Sequence, residues 1–405
     1  MAADGPAGER PGGAGGAGGA GGAPLRLSLD VTAVPVDPVG AGQYTRELAR
    51  ELASRPEVDL VVVARSDDRP RWSQLAPGAG LAAVAPGRRP LRLAWEQVGL
   101  PSLLRHRSVD VHHGPHYTMP ERARLPKVVT VHDLSFFEAP EWHERSKVLL
   151  FRRAIRVAAR RASVVVCPSQ ATADQLARWC TVEAPVVVAH HGVDTGRFGP
   201  TEPEAGSDAD RIAAVDPRLG SGRPYLVFVG TLEPRKDVPT LVRSFASVAD
   251  RHPEALLVLA GGAGWGAEAV TAAIAGSGVV ERVVRTGYVP DATVPALLRG
   301  AVAAVYPALY EGFGLPALEA LACGVPLVTT TGSAMEEVAG PAARLVPPGD
   351  VDALAGALDA VLAGEGPGPG LREEGLAIAT RHTWAASADR HLEAYRLAVD
   401  LAPGR

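Results

Sequence analysis

The sequence predicts an α/β protein made of two Rossmann-like, doubly wound domains. Three observations predict it. Short β-branched runs alternate with longer helix-period stretches along almost the whole chain, the order that yields parallel sheets with helices on both faces. The 405 residues are too many for one hydrophobic core. Between two such alternating series, the stretch TGRFGPTEPEAGSDADRIAAVDPRLGSGR, from about Thr195 to Arg223, is rich in Pro, Gly and Asp and reads as a connection.

Taken in order, residues 1–23 carry GGAGGAGGAGGA with scattered charges, too little apolar surface to offset ordering, so a disordered tail is expected there. Nothing in that tail has the apolar run of a signal peptide. A first domain is expected over residues 24–200, with strands at Leu25–Val31, Leu60–Ala64, Val128–His132 and Val164–Cys167 and helices such as Tyr44–Ala53 and Ser146–Arg161. A linker at 201–222 leads to a second domain over 223–383. Its strands read Tyr225–Gly230, Leu256–Ala260, Val283–Thr286, Ala303–Tyr306 and Leu327–Thr330, with helices near 237–251, 316–323 and 350–363. Residues 384–405 read as a closing helix.

Composition narrows the function. A 46% hydrophobic, 21% charged chain with a net charge of −4 is globular and has no nucleic-acid signature. Its charge is uneven: residues 1–200 carry 25 Lys+Arg against 20 Asp+Glu, and residues 201–405 carry 16 against 25, so the first half is the better partner for an anionic surface. Cys167, Cys180 and Cys323 show no paired spacing, which argues against a disulfide framework or zinc and fits a reducing cytoplasm. No uncharged apolar stretch reaches the roughly 20 residues of a membrane span. On the helix 147–161, Lys147, Arg152, Arg153, Arg156, Arg160 and Arg161 interleave with apolar residues. That pattern suits a solvated basic face over a core stripe, which Phe151 and Ile155 at i,i+4 favour, and it leaves peripheral contact with an anionic inner membrane face open.

The chemistry concentrates in Tyr310–Thr330, YEGFGLPALEALACGVPLVTT. Gly312-Phe313-Gly314-Leu315 is a loop whose backbone N–H groups can approach an anion, Pro316 suits a first helical turn, and Gly324 suits the helix end. The loop feeds a helix N-terminus, which favours phosphate, and Glu311 and Glu319 on the same rim suit sugar hydroxyls. Arg235-Lys236 stands out in a chain with 38 Arg and three Lys, where Lys236 is the sole lysine after Lys147. Beside the strand-end Gly230, the pair suits a pyrophosphate clamp. His132 and Asp133 close an apolar strand and emerge at its C-terminal edge. Tyr288 and the turn Gly261-Gly262 either flank a base or are ordinary turn residues. Gly40-Ala41-Gly42 carries Thr45 where a third glycine would stand, which argues against a dinucleotide fingerprint. Ser169 reads as a helix cap. His112, His113 and His116 lack partners at ligand spacing, and Asp208-Ala209-Asp210 falls in the linker, so no metal is expected.

The motif EGFGLPALE resembles the donor motif of retaining glycosyltransferases of family 4. Gly230–Asp237 (GTLEPRKD), Val131–Ser135 (VHDLS), Pro168-Ser169 and Gly192-Val193-Asp194 follow in the family's order, and the resemblance spans about residues 25 to 400. It implies a GT-B arrangement, with the acceptor on the N-terminal domain, the donor on the C-terminal one and the last helix crossing back. It implies roles as well: Glu311 on the transferred sugar, Glu319 on the ribose, Arg235 and Lys236 on the diphosphate. His132 would seat the donor sugar, Gly42 would meet the donor phosphates or the acceptor, and Glu336-Glu337 resembles a position near the donor sugar. Asp133 would orient the imidazole or the acceptor. No cofactor is implied beyond the nucleoside diphosphate sugar. HDLSFFEAPEWH resembles mannosyltransferase-like members, which favours GDP-mannose over glucose, N-acetylglucosamine or rhamnose donors; the acceptor is a hydroxyl, lipid-linked acceptors included. A sugar-nucleotide 2-epimerase and a catalytically silent binding subunit are the alternatives. A P-loop enzyme is excluded, since no lysine follows a glycine.

Overall fold

The computed structural model describes residues 23–201, 208–365 and 369–402. Of the tail expected to be disordered, residues 1–23, residues 1–22 therefore lie outside the described residues, and Ala23 is exposed. Thirteen strands among the described residues form two parallel sheets. The first joins β1 (Leu25–Asp30), β2 (Val58–Arg65), β3 (Gly80–Ala85), β4 (Val111–Gly114), β5 (Lys127–Thr130), β6 (Val164–Cys167) and β7 (Val186–Val188) in the order β3-β2-β1-β4-β5-β6-β7. The second joins β8 (Tyr225–Val229), β9 (Leu256–Ala260), β10 (Val283–Gly287), β11 (Ala303–Tyr306), β12 (Leu327–Thr330) and β13 (Ala343–Val346) in the order β10-β9-β8-β11-β12-β13.

Helices cover both faces, so strands such as Leu256–Ala260 and Val164–Cys167 are buried along their whole length, as their unbroken apolar runs require. Winding reverses between β1 and β4 in one sheet and between β8 and β11 in the other. Crevices beyond the carboxyl ends of the strands at these reversals are where doubly wound sheets bind ligands. The two crevices face each other across one cleft.

Four strands escape the sequence reading: β3, β4, β7 and β13. The most instructive is β4, VHHG, whose polar look hides a central strand. His112 and His113 are 1% and 0% exposed, and hydrogen bonds to Ser28, Thr130 and Tyr395 make their burial tolerable. The expected linker also differs. Within it a helix, Asp208–Val215, packs on the second domain, with Ile212 in the core and Asp208 held bidentately by Arg299 at 2.6 and 2.9 Å. Sequence reading weighed the Pro and Gly of this stretch and missed the buried Ile212 that anchors it.

The helix Trp384–Asp400 crosses back onto the first domain, where Tyr44 meets His391 and His113 meets Tyr395. The two interdomain crossovers touch at Gly192: a Cβ there would fall 2.2 Å from the Trp384 nitrogen, and the Val193 amide donates to the His382 carbonyl at 2.9 Å. On the basic helix Arg145–Arg161, Arg153 and Arg161 pair with Glu121 at 2.6 and 3.4 Å, Arg152 donates to the Phe136 carbonyl, and Arg156 lies over the Phe137 ring. Much of that positive charge is thus answered locally. No helix among the described residues is long and apolar enough to cross a membrane.

Candidate functional site

A cavity of about 360 Å³ lies between the facing sheet edges. It brings together residues far apart in sequence: Gly40 and Gln43 after β1, Tyr117 after β4, His132 and Asp133 after β5, Gly230 to Lys236 after β8, and Glu311 to Glu319 after β11.

The acidic loop is shaped by its glycines. Gly314 takes φ +93° as N-cap of the helix Leu315–Ala322, Pro316 sits in the first turn, and Gly324 at φ +68° ends it. At Gly312 the domains touch: a Cβ would fall 1.9 Å from the His132 carbonyl oxygen, and the Gly312 carbonyl accepts from Ser169 Oγ at 2.8 Å and Thr172 Oγ1 at 3.0 Å. Ser169 is thus both the expected helix cap, through the Thr172 amide, and a link between domains. Phe313 is buried, its ring 4.7 Å from that of His191, which leaves the loop backbone to face the cavity.

Opposite stands the basic pair, on a short turn Pro234–Lys236 that Asp237 closes in a left-handed conformation, φ +44°, which Asp tolerates better than most residues. Arg235 bridges two carboxylates, Glu311 at 2.6 Å and Glu233 at 2.7 Å. Burial alone would lower its pKa, yet Glu311, Glu233 and Asp133 raise it overall, so the guanidinium is a fixed cation. The Lys236 ammonium is shifted down, by burial first and by Arg235 among its neighbours. It lies against Gly230, whose φ is +149° and where a Cβ would sit 2.5 Å from Nζ. Only glycine leaves room for the ammonium there. Glu319 is 8% exposed; burial pushes its carboxyl up to about 7 although Arg197 and a hydrogen bond from Gln43 oppose the shift.

His132 donates Nε2–H to the Pro115 carbonyl at 2.6 Å, and burial holds its pKa down, so the ring is neutral with Nδ1 as acceptor. Asp133 does not orient that imidazole. Its Oδ1 accepts from the Ser135 amide and hydroxyl at 2.9 and 2.6 Å, which starts the next helix. Two further expected residues lie outside the cavity lining. Gly42 does not line the cavity: within the helix Ala41–Ala53 it faces Pro38 and Pro35, and Gly40 and Ala41 reach the cleft instead, because the first helix begins one residue after Gly40. Tyr288 is 59% exposed and outside the cavity lining, since β10 runs on to Gly287 and turns the ring to solvent. Glu337 points away from the cavity to the helix Gln170–Trp179, accepting from the Gln170 and Ala171 amides at 2.8 and 2.9 Å. His112, His113 and His116 bond separately to Ser28, Thr130 and Thr45, and Asp208 to Arg299.

Sequence reading missed Gln43, Tyr117, His191, Arg197 and Asp291, all of which line the cavity. His191 had a signal: it immediately precedes the Gly192-Val193-Asp194 motif. Its ring is 4% exposed, and its Nδ1 is buried without a partner.

Comparisons with known proteins agree with this architecture. Residues 38–197 match the family described as Glycosyltransferase Family 4, and residues 213–375 match Glycosyl transferases group 1. The chain is 28% identical to the O-antigen chain mannosyltransferase B of Escherichia coli, over 88% of this chain and 96% of that protein. It is 30% identical to the 2-deoxystreptamine N-acetyl-D-glucosaminyltransferase of Streptomyces fradiae, over 92% of this chain and 95% of that one. Among solved structures it resembles Anabaena HepE in complex with UDP-glucose, with a TM-score of 0.72, 20% identity, and coverage of 91% and 98% of the two chains.

Proposed function

The chain belongs to the GT-B glycosyltransferases of group 1 and family 4, and on that premise we propose that it moves a hexose from a nucleoside diphosphate sugar, preferentially GDP-mannose, to a hydroxyl acceptor with retention of anomeric configuration. One observation carries the reading: a single cavity gathers Arg235, Lys236, the Gly312–Leu315 backbone, Glu311 and Glu319 opposite His132. Mannosyltransferases among the relatives support the donor, including the Escherichia coli protein.

In the proposed reaction Lys236 and Arg235 bind the diphosphate and offset the charge that builds on it as the C1–oxygen bond breaks. A diphosphate beside Lys236 opposes the effect of burial and keeps the ammonium charged. Glu311 binds the sugar hydroxyls, Glu319 the ribose, and neutral His132 the sugar from the facing domain. The acceptor oxygen bonds to C1 on the face the diphosphate leaves, and its proton passes to the departing phosphate oxygen, so no protein nucleophile is needed. The alternative of a 2-epimerase requires turnover with no acceptor present.

The test is calorimetry with GDP, UDP and dTDP, followed by product analysis. GDP should bind tightest, and GDP-mannose should give an α-mannoside with a suitable acceptor. Preference for another base overturns the donor, a β product overturns retention, and sugar-nucleotide conversion without acceptor favours the epimerase.

A further inference from the structure

His191 stands on the cleft wall and has no part in the reaction proposed above. Its ring lines the same cavity as that of His132, and the two ring centroids lie 6.0 Å apart. Burial first, and then the charges that His132, His391 and His190 could carry, hold its pKa well below the ordinary value, so the ring is neutral. A neutral imidazole carries one proton, and the surroundings decide on which nitrogen. Nδ1 is buried with no partner among the described residues, so a proton there would be an N–H without an acceptor. Nε2 has no protein bond among the described residues either but is not sealed off, which makes it the nitrogen on the cavity side of a ring that is 4% exposed. The proton therefore belongs on Nε2, where a ligand can accept it.

That polarity is opposite to its neighbour's. His132 commits its Nε2–H to the Pro115 carbonyl at 2.6 Å and offers a bare Nδ1. The wall thus presents one acceptor and one donor side by side, both uncharged. Such a pair suits two neighbouring hydroxyls of one pyranose, one donating and one accepting, better than it suits phosphate oxygens, which only accept. Each nitrogen would reach its hydroxyl through a hydrogen bond of about 2.9 Å, a geometry that rings 6.0 Å apart allow. The His191 ring is also firmly seated. It packs among Tyr44, Phe313 and Trp384, with centroids 4.5, 4.7 and 6.0 Å away. Its backbone is pinned from the next residues, since Gly192 lies against the Trp384 nitrogen and the Val193 amide donates to the His382 carbonyl. All three ring neighbours are aromatic, and a phenylalanine would fill the place without leaving a polar atom orphaned. A histidine that costs stability in such a seat, with its free nitrogen on a cavity, points to a ligand bond.

We propose that His191 is a specificity-determining residue for the transferred hexose: its Nε2–H donates to a sugar hydroxyl next to the one that donates to His132 Nδ1, so the two rings read adjacent hydroxyls with opposite hydrogen-bond sense. The proposal rests on the reading of the cleft as the donor site.

The experiment is calorimetry on the full chain with GDP and GDP-mannose and with UDP and UDP-glucose, beside thermal unfolding, for the wild type, His191→Phe and His191→Gln. The nucleotide pair that binds the wild type supplies the comparison. In His191→Phe the affinity for the sugar nucleotide should fall about threefold to tenfold while that for the matching nucleoside diphosphate stays within about twofold. The melting temperature should hold or rise, because an orphaned polar atom is removed. His191→Gln, whose side-chain amide can donate from a similar reach, should restore sugar binding. Deoxy and deoxyfluoro forms of the donor sugar read the same bond on the wild type: at one carbon, fluorine, which accepts but cannot donate, should keep affinity that hydrogen loses, and His191→Phe should close that gap. Sugar binding undiminished in His191→Phe, equal losses there for sugar nucleotide and nucleoside diphosphate, or a gap between fluorine and hydrogen at no carbon overturns the assignment. A wild type that binds none of these nucleotides sinks instead the donor reading.

Discussion

Glu311 and Glu319 share one loop and helix yet sit in different surroundings. Glu311 is ion-paired to Arg235 at 2.6 Å, whereas Glu319 is buried beside Gln43. Glu311→Gln should therefore depress kcat while nucleoside diphosphate affinity holds or rises, because Arg235 is released towards the phosphates. Glu319→Gln should weaken the nucleotide by about 1.5–3 kcal/mol, one to two orders of magnitude. Calorimetry on both variants checks this, and equal losses would refute the division of roles. The sign of the pH dependence follows from the raised carboxyl. Ribose hydroxyls bond best to the ionised form, so binding must expel a proton below pH 7; affinity should be flat above about 7 and fall below it, and Glu319→Gln should abolish that part of the profile. On the proposed clamp of Arg235 and Lys236, and with Asp208 tied to Arg299, turnover should survive EDTA; loss restored by magnesium would contradict it.

Among the elements, the closing helix is fastened by a directional relay. The Ser387 carbonyl can only accept, so His391 donates from Nδ1 at 2.7 Å and its Nε2 accepts from the Tyr44 hydroxyl at 2.7 Å. Tyr44 then accepts from Thr130 at 2.9 Å, Thr130 accepts from His113 Nε2 at 2.8 Å, and Tyr395 donates to His113 Nδ1 at 2.8 Å. The relay begins and ends on the helix Trp384–Asp400 and needs both histidines neutral. Tyr44→Phe leaves His391 Nε2 without its donor and should cost about 1–3 kcal/mol, read by denaturant titration. Acid should act on the same elements. Burial lowers His391 to about 4, His112 and His116 to about 3, and His113 and His191 well below their ordinary value. Their folded pKa values lie below the unfolded one, so stability is intact above about pH 6.5 and falls as pH drops below it, by about 1.4 kcal/mol per unit for each histidine. Glu96 and Glu319, raised to about 8 and about 7, act oppositely but are outnumbered. Melting temperature should decline from pH 6.5 to 4.5; a flat profile would show that these rings are accessible to protons.

At the scale of the whole molecule, glycines set how the domains meet. Gly312 lets one domain close on the His132 carbonyl, flanked by Tyr310, whose hydroxyl donates to Gln175 at 2.6 Å and accepts from the Leu134 amide at 2.7 Å. Glu337 adds its bonds to the opposite helix N-terminus, where a carboxylate is favoured by the dipole. In Gly312→Ala the new methyl group meets that carbonyl and wedges the cleft, so turnover should collapse and small-angle scattering should report a larger radius; an unchanged radius with normal turnover would refute the contact. Gly192→Ala pushes apart the two crossovers and should destabilise the fold by about 1–3 kcal/mol, as overpacking against backbone does.

The sequence by itself determined the α/β class, most strands of both sheets, and the residues EGFGLPALE and RKD, because unbroken β-branched runs, helix caps and a glycine-rich loop are local signals that survive without a partner. Arg235, Lys236, Glu311, Glu319 and His132 all reach the cavity that those signals foretold. Only the tertiary structure decided the rest. It made VHHG a central strand, since burial of His112 and His113 depends on acceptors and donors from β1, β5 and the last helix. It sent Gly42 towards Pro35 and Pro38, and Glu337 to a helix end in the other domain. It gave Gly192 its reason, the backbone of Trp384, 192 residues later, passing within a methyl group's reach. It also brought Tyr117, His191 and Gln43 into the cleft. Each of these depends on contacts between segments far apart in the chain, which no local pattern of residues encodes.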